Sequence, residues 1–548
     1  MAVSRRPRNR LIPVLVLLVL CFFWFSSESS NGPRRWFRKV KTKSKNAVAV
    51  YSDNKPPSTE HPIKLLHLEA TEKFQKMIDR QSKTIEEAVA EYKRRYNRDP
   101  PEGFEKWFEF AQFKNSVIID DFDMILESLE PWLKLPAATI NRVFERAAYG
   151  PLLWTFGIHD GYVMTANENW MGIAMRELLK DVAQYLPDFE LLMNPLDEPR
   201  VLLTRRGDTE IIHWTDESKV SSWDRVEAPC RYPRPPVPKQ QRIESNVNTD
   251  GIPFVTNLFD ANDVCQNPQF ELQHGFLIAP FTLYTTSSPV PVLSQAKPST
   301  FADILVPSMW YFEHHIPDLN MNDLAWSDKT NALYWAGSTT GGVWRDDMPE
   351  EEGERLSHRH RFIKTTKQLG RGAKHTFLTK QPRTGFWVKY ESTQVMSELY
   401  DTKFTKVVQC EGQHCDSANE TYRVSEPEHA STAFKYKFLM DMDGNSFSGR
   451  FYNFLQSGSC PLKQSIFREW HDERLVPWVH YVPISLGFED LPEAMRYMAT
   501  TAEGSAIAET IAKTGSDWHG KFLRRDDAAV YLFRLFLEFG RLVDPNRK

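Results

Sequence analysis

Between residues 63 and 96 the apolar positions Leu65, Leu68, Phe74, Ile78, Ile85, Ala88 and Tyr92 recur at helical intervals, and the pattern stops before Pro100-Pro101. Residues 120–133 predict a second helix, opened by acids and stopped near Pro136. The run 189–193 (FELLM) reads as a buried strand, followed by a sharp loop over 194–199. The second half is more regular. Residues 331–335 predict a strand, Gly337-Ser338-Thr339-Thr340-Gly341-Gly342 a glycine loop, and 354–369 a helix. The same succession recurs: strand 436–442, small-residue loop 443–449, then helix 450–456 with Gly458 as its stop. Residues 459–465 and 478–484 predict further strands, and 506–542 a closing helical segment. Strand–loop–helix units in series imply a parallel sheet covered by helices, hence an α/β fold. Residues 228–250 are Pro-rich and polar and predict a long loop or lid.

The N-terminus has a different pattern. Residues 11–25 (LIPVLVLLVLCFFWF) are apolar throughout and follow Arg5, Arg6, Arg8 and Arg10. Fifteen residues fall short of the roughly 20 that span an average bilayer, but with Ser26 and Ser27 the segment suits a thin early-secretory membrane. A signal anchor and a cleaved signal peptide are the two readings; the bulk of Trp24 and Phe25 before the cleavage region favours the anchor. Seven cations between Arg34 and Lys45 exceed the four before the segment, which weighs against a lumenal body.

Charge sharpens this division. Of 68 Lys and Arg and 72 Asp and Glu, the first 50 residues hold 11 and one, leaving the body with 57 against 71, formally −14. A body of that sign disfavours nucleic acid as a partner. Cys21 lies in the apolar segment, so the odd set Cys230, Cys265, Cys410, Cys415 and Cys460 allows two bridges at most. Cys410 and Cys415 enclose a four-residue loop and suit pairing in an oxidising lumen; buried thiols are an equal reading for the others. A single glycosylation sequon, Asn419-Glu420-Thr421, agrees with a lumenal face.

Ligands of parallel sheets sit at the carboxyl ends of the strands. The loop of Gly337, Ser338, Thr339 and Thr340 and the loop of Asn445, Ser446, Phe447, Ser448, Gly449 and Arg450 therefore form a candidate phosphate cradle. Neither matches a Walker motif, so a nucleotide triphosphatase is disfavoured. Arg450 at a helix start is out of place without an anion, unless it pairs with Asp441 or Asp443. Asp197 in NPLDEP suits a general base, although Asp beside Pro is also ordinary turn chemistry. Asp121-Phe122-Asp123 reads as a helix cap, and Asp441-Met442-Asp443 as a minor candidate for Mg²⁺ or Mn²⁺. His314, His315, His358 and His360 lack zinc-site spacing, and no nucleophile elbow is present.

The run Lys435 to Gly444, continuing through Ser448-Gly449-Arg450-Phe451-Tyr452 to the strand LVPWVHYVP at 475–483, resembles glycosyltransferase family 90. Tyr334-Trp335-Ala336-Gly337-Ser338, Asp303-Ile304-Leu305-Val306-Pro307 and the block Arg95-Tyr96-x-Arg98-x-Pro100-Pro101-x-Gly103-Phe104-x-x-Trp107 extend the match, the last resembling the fungal, capsule-associated xylosyltransferase-like branch. The family also includes protein O-glucosyltransferases. The resemblance implies a GT-B-like architecture of two Rossmann-like domains facing a cleft. It makes Asp197 the catalytic base of an Asn-x-x-Asp-x-Pro loop, and it places a nucleotide diphosphate on Ser338 and the 445–450 loop. Arg450 is then the principal cation, with Arg345 as a second and Arg359 or Arg361 as its substitutes.

The expected organisation is a cytoplasmic tail (1–10), a transmembrane signal anchor (11–27), a stem (28–62), an acceptor-side Rossmann-like domain with a helical lead-in (63–300), a UDP-sugar domain (301–500) and C-terminal helices (501–548). The expected protein is a single-pass type II ER or Golgi membrane glycosyltransferase with a lumenal body. It would move xylose or glucose from a UDP-sugar to a glycan or glycoprotein hydroxyl with inversion. No cofactor and no metal ligand are assigned, and dependence on a divalent metal stays open. A glycoside hydrolase and a noncatalytic lumenal sugar-binding protein are the rivals.

Overall fold

The computed structural model describes residues 57–166, 169–204, 209–232, 245–313, 323–348 and 357–546. The expected tail, anchor and most of the stem lie outside these residues, as do His314 and His315. Among the described residues no helix is long and apolar enough to cross a membrane. Residues 53–548 form one contact unit.

The chain opens with α1 (Pro62–Asp79) and α2 (Ile85–Tyr96), two helices where the periodicity predicted one. The break is caused by a buried polar turn. Gln81 Oε1 accepts from the backbone N–H groups of Ile119 and Asp120, and Ser82 N–H donates to Asp120 at 2.7 Å. These bonds draw residues 80–84 inward and end the helix, because buried backbone groups must be paired. Asp121 and Asp123 join the same knot, through Arg80, Arg95 and Tyr96, rather than capping a helix with their side chains.

Helices α3 (Phe104–Phe113), α4 (Asp123–Leu133) and α5 (Ala137–Ala147) follow. Next come β1 (Trp154–His159), β2 (Tyr162–Thr165), α6 (Trp170–Leu179), β3 (Phe189–Met193), β4 (Val292–Ser294) and β5 (Ile304–Leu305). These strands form a first sheet in the order β2-β1-β3-β4-β5. It is mixed rather than wholly parallel: β1 runs antiparallel to both β2 and β3, while β3, β4 and β5 are parallel.

The second sheet is built from β6 (Thr330–Ser338), β9 (Tyr400–Lys406), β10 (Tyr436–Met442), β11 (Cys460–Gln464) and β12 (Val482–Pro483). Its order is β9-β6-β10-β11-β12, and every neighbouring pair is parallel, as the strand–loop–helix succession predicts. Helix α7 (His358–Leu369) and a hairpin of β7 (His375–Lys380) and β8 (Trp387–Ser392) come between β6 and β9. Helix α8 (Gly412–Tyr422) precedes β10, α9 (Phe451–Gln456) follows it, and α10 (Leu491–Thr500) follows β12. Tyr436–Met442 matches the predicted strand residue for residue.

The closing helical segment is two helices, α11 (Ala502–Phe522) and α12 (Arg525–Val543). Each half belongs to a different core. Helix α11 packs on α9, α10 and β11, whereas α12 packs on α3, α4, α5 and α6. The Arg524 side chain bonds Asp527 and caps the new helix at the turn. Within the first core Phe536 stacks on Phe156 (5.4 Å) and lies 5.2 Å from Phe189. Between the sheets, Ala296–Lys297 pairs antiparallel with Arg468–Glu469, and Arg468 grips Glu127 through two hydrogen bonds.

Two disulfides form, Cys230–Cys265 and Cys410–Cys415, and buried Cys460 is the free thiol that the odd count requires. Asn419 of the sequon is exposed on α8.

Phe536 is fully buried. Phe536→Ala is expected to remove about 3–5 kcal/mol of stability through the cavity it leaves. Chemical denaturation checks this, with a fall in midpoint and little change in slope as the expected result.

Candidate active site

Asp197 stands on the loop after β3, and side chains beneath that loop fix its shape. Asn194 Oδ1 accepts from Leu196 N–H at 3.1 Å, and its amide donates to Glu198 O at 2.8 Å and to Ser294 Oγ at 3.0 Å. Asp303, at the start of the DILVP run, is fully buried and accepts from Arg200 N–H, Val201 N–H and the Ser294 hydroxyl. Arg200 spans the loop from below and donates to Asn194, Pro151 O and Tyr284 O. Asn194 thus has a structural reason in the Asn-x-x-Asp-x-Pro pattern, whereas the exposed residue Asp197 takes no part in the scaffold beneath the loop.

Protein mass around Asp197 raises its carboxyl above the usual range, and a hydrogen bond from the Asn445 side chain opposes that rise. Asn445 belongs to the loop after β10, so its side chain brings that loop up to the loop of Asp197. Glu198 turns the other way. It is 2% exposed, accepts from Thr282 N–H at 3.1 Å, and has its carboxyl pushed up to about 8 by burial and then by Asp197.

On the facing side, the loops after β6 and β10 meet where the strand order reverses: the chain leaves β6 for β9 on one side and resumes at β10 on the other. Such switch points open a crevice at the carboxyl ends of the strands. The loops touch closely. A Cβ on Gly275 would lie 1.6 Å from Gly341 O, and Gly341 itself has φ +105° with Gly444 O where a Cβ would stand. His274 accepts from Phe276 N–H through Nδ1, which leaves its Nε2–H for Asp443 at 3.1 Å.

Arg359, the second residue of α7, stitches both loops. It donates to Ser338 O (2.9 Å), Thr340 Oγ1 (2.6 Å) and Asp443 O (2.7 Å). Arg450 donates to Ala336 O at 2.8 Å. Both guanidinium groups lie over the Trp335 ring, at 5.6 and 5.7 Å from its centroid. Burial and then the charge of Arg450 hold Arg359 down at about 9, and burial lowers Arg450 as well. Each makes its hydrogen bonds to carbonyl or hydroxyl oxygens, and among the described residues neither forms an ion pair with a carboxylate. The pairing of Arg450 with Asp441 or Asp443 is not made: Asp441 accepts from Lys463, and Asp443 accepts from His274 and Ile466 N–H.

The remaining expected residues divide into two sets. Ser338 Oγ donates to Thr340 at 3.2 Å, Ser448 Oγ accepts from Arg450 N–H, and buried Ser446 Oγ has no partner among the described residues. Thr339 faces inward and exchanges hydrogen bonds with the backbone of Val408. Gly337 is within β6, Phe447 packs 5.4 Å from the Tyr311 ring, and Gly449 lies against the Trp310 indole. Arg345 is directed away and pairs with Asp347 and Lys219 O; Arg361 donates to Gln273 O and Leu486 O. His358 and His360 are core histidines, His358 donating to Asp443 O. Sequence reasoning missed Gln409, which touches both loops; nothing in its local pattern marks it.

A cavity of about 450 Å³ lies elsewhere, walled by α1, residues 255–259 and Trp478, and none of these site residues lines it. Among the described residues no group of His, Cys, Asp and Glu is arranged to hold a metal ion.

Residues 282–547 match the model of glycosyl transferase family 90, and the resemblance carried by the Arg450 loop holds over that part of the chain. Protein O-glucosyltransferase 1 of Homo sapiens is 24% identical over 282 residues, 47% of this chain and 58% of the relative. The same-named protein of Rattus norvegicus is 30% identical over 115 residues, 20% of the chain and 28% of the relative. The O-glucosyltransferase rumi homolog of Aedes aegypti is 30% identical over 153 residues, 27% of the chain and 36% of the relative. The matched segments thus span from about a quarter to somewhat over half of the relatives' own length.

The state of Glu198 has a measurable consequence. The folded chain keeps this proton up to about pH 8, whereas the unfolded chain releases it near 4.5. Between those values unfolding releases a proton, so stability falls as pH rises. Glu198→Gln is expected to flatten that fall, by on the order of 1 kcal/mol per pH unit, in denaturation midpoints taken between about pH 5 and 8.

Proposed function

We propose that the chain is an inverting glycosyltransferase of GT-B-like, two-domain build, which moves a sugar from a UDP-sugar to a hydroxyl of a glycan or glycoprotein. The observation that carries this reading is the pair of guanidinium groups, Arg359 and Arg450, set together over Trp335; among the described residues neither forms an ion pair, and Asp441 acts on both, with Asp443 on Arg359, only through space. Two like charges near one another in a partly dry crevice call for an anion, and the two charged groups of a diphosphate would answer both. The relatives' names favour glucose as the sugar, and the resemblance to the capsule-associated branch keeps xylose as the alternative.

Asp197 faces these loops through Asn445. In the reaction it takes the proton of the acceptor hydroxyl, whose oxygen attacks the anomeric carbon as the bond to the diphosphate breaks. Arg359 and Arg450 stabilise the charge that develops on the departing UDP. Asp441 and Asp443 are engaged by Lys463, His274 and Ile466 N–H, so the arginines rather than a metal on these acids carry that charge in this reading. Trp310 lies against Gly449, and Trp170, 44% exposed, meets it edge-on at 6.3 Å. This aromatic pair makes the acceptor side of the crevice. The two disulfides and the exposed sequon support a lumenal body in the ER or Golgi, held by the apolar N-terminal segment.

Asp197→Asn is expected to bind UDP as the parent does and to lose transfer by at least about 100-fold, the usual scale for a missing general base. Arg359→Ala and Arg450→Ala should each weaken UDP binding by about tenfold or more, as for a lost charge-assisted bond. Calorimetry with UDP and a screen of UDP-sugars against hydroxyl acceptors measure both. Unchanged UDP affinity in both arginine variants would remove the diphosphate from the crevice, and sugar release to water with no acceptor product would favour a hydrolase.

A further inference from the structure

An amide side chain is nearly symmetric in shape, so which end faces a neighbour is decided by its partners. In this crevice two such groups stand in series, and the series begins at an atom that cannot reverse its role. The backbone N–H of Gly341 donates to Gln409 Oε1 at 3.1 Å. That fixes the Gln409 amide, whose Nε2 then donates to Asn445 Oδ1 at 2.9 Å. Asn445 is left with its NH2 end free to donate, and its side chain lies beside the carboxylate of Asp197, whose pKa it lowers against the effect of burial.

We propose that Gln409 is a positioning residue, holding the Asn445 amide so that its NH2 end, and not its carbonyl, meets the carboxylate of Asp197. The proposal rests on the reading of Asp197 as the general base. A donor facing that carboxylate keeps it ionised and ready to accept a proton; a carbonyl there would favour the protonated, inactive form.

The chain around Gln409 is built to keep it in place. Gln409 has φ +60°, in the left-handed region that a non-glycine residue seldom adopts without support. The support comes from both sides. Trp344 N–H donates to Gln409 O at 2.9 Å, Glu411 N–H donates to Trp344 O, and the buried hydroxyl of Thr339 holds Val408 at both its N–H and C=O. The disulfide Cys410–Cys415 begins at the next residue. The titratable group electrostatically linked to Asp197 is Glu198 on its own loop. It is not a member of the amide series, and the variants below leave it in place, as they do Arg359 and Arg450.

Gln409→Glu reverses the series. A carboxylate can only accept, so Gly341 N–H keeps one oxygen and Asn445 must turn its NH2 to the other, which puts Oδ1 against Asp197. Gln409→Met keeps the bulk and removes the orienting donor without adding charge. The acid limb of the pH profile of kcat/KM for transfer is expected to move upward by about one pH unit in Gln409→Glu, and in the same direction by less in Gln409→Met. The Gln409→Glu shift should persist in about 1 M salt, where a purely through-space charge effect is screened within a few ångströms. In an Asn445→Ala background, which has no amide to turn, Gln409→Glu should add no shift of that size.

Thermal midpoints within a few degrees of the parent show that each variant is folded. An acid limb at the parent position in both Gln409 variants, while Asp197→Asn is inactive, would overturn the relay and leave the base in place. Full transfer by Asp197→Asn would instead overturn the reading on which the relay rests. A shift in Gln409→Glu that vanishes in high salt or survives unchanged in Asn445→Ala would assign the effect to added charge and also overturn the relay.

Discussion

The loops that end β3 and β10 are sharp, partly buried and short of backbone partners, and their open peptide groups are satisfied from below by a few buried side chains. Asp303 and Asn194 do this for the loop of Asp197. Arg359 does it for the two loops of the other sheet, binding Ser338 O and Asp443 O from one guanidinium. An unpaired peptide group in such a place costs about 1–3 kcal/mol. The requirement to pair it therefore dictates where these loops can stand, and so where Asp197 and Arg450 stand. The motifs of the sequence are largely the record of this requirement: Asn194 and Asp303 are scaffolding, and a single member of the first pattern is free to act.

The second organising effect is electrostatic. The body outside the first 50 residues is formally acidic, so a dianion gains nothing from the protein's overall field. Positive charge is concentrated locally by placing two arginines over one indole ring. Asp441 accepts from Lys463, and Asp443 from His274 and a backbone N–H, so these acids act on the arginines through space and not as ion pairs. Arg359 also depends on a network of carbonyl oxygens, which lets a buried guanidinium remain charged without being neutralised.

Thr330–Ser338 and Tyr436–Met442 of the second sheet were legible because an apolar run there is followed at once by small residues, and Phe189–Met193 of the first sheet falls where the pattern puts it. Tyr400–Lys406 (YDTKFTK) mixes polar and apolar residues and was not anticipated, and the strand expected over 478–484 shrinks to Val482–Pro483. The helical periodicity was read correctly, but its breaks were not: residues 80–84 and 523–524 are interrupted by contacts to Asp120 and by the demands of two different cores. The mixed character of the first sheet escaped notice because pairing direction is not written in local hydrophobicity. At the site, Asp197, Ser338 and Arg450 were singled out through motif and resemblance. Arg345 was put before Arg359 and Arg361 on the resemblance, with a spacing one residue off, and no local pattern shows that Arg345 is held by Asp347. Gln409 was invisible, since its contacts lie 68 and 36 residues away along the chain.

Helix α12 fills the middle of the first core, against helices and strands that begin more than 300 residues earlier. On a ribosome this has a direct kinetic meaning. The segment carrying β1 to β3 emerges early but lacks the surface that covers its apolar faces until α12 has been made. The nascent first lobe must therefore wait, exposed, while the second lobe is made. A protein arranged this way couples the finishing of the Asp197 loop to the synthesis of α12, so a chain truncated before α12 would be retained and cleared as unfolded material instead of accumulating as a half-folded fragment.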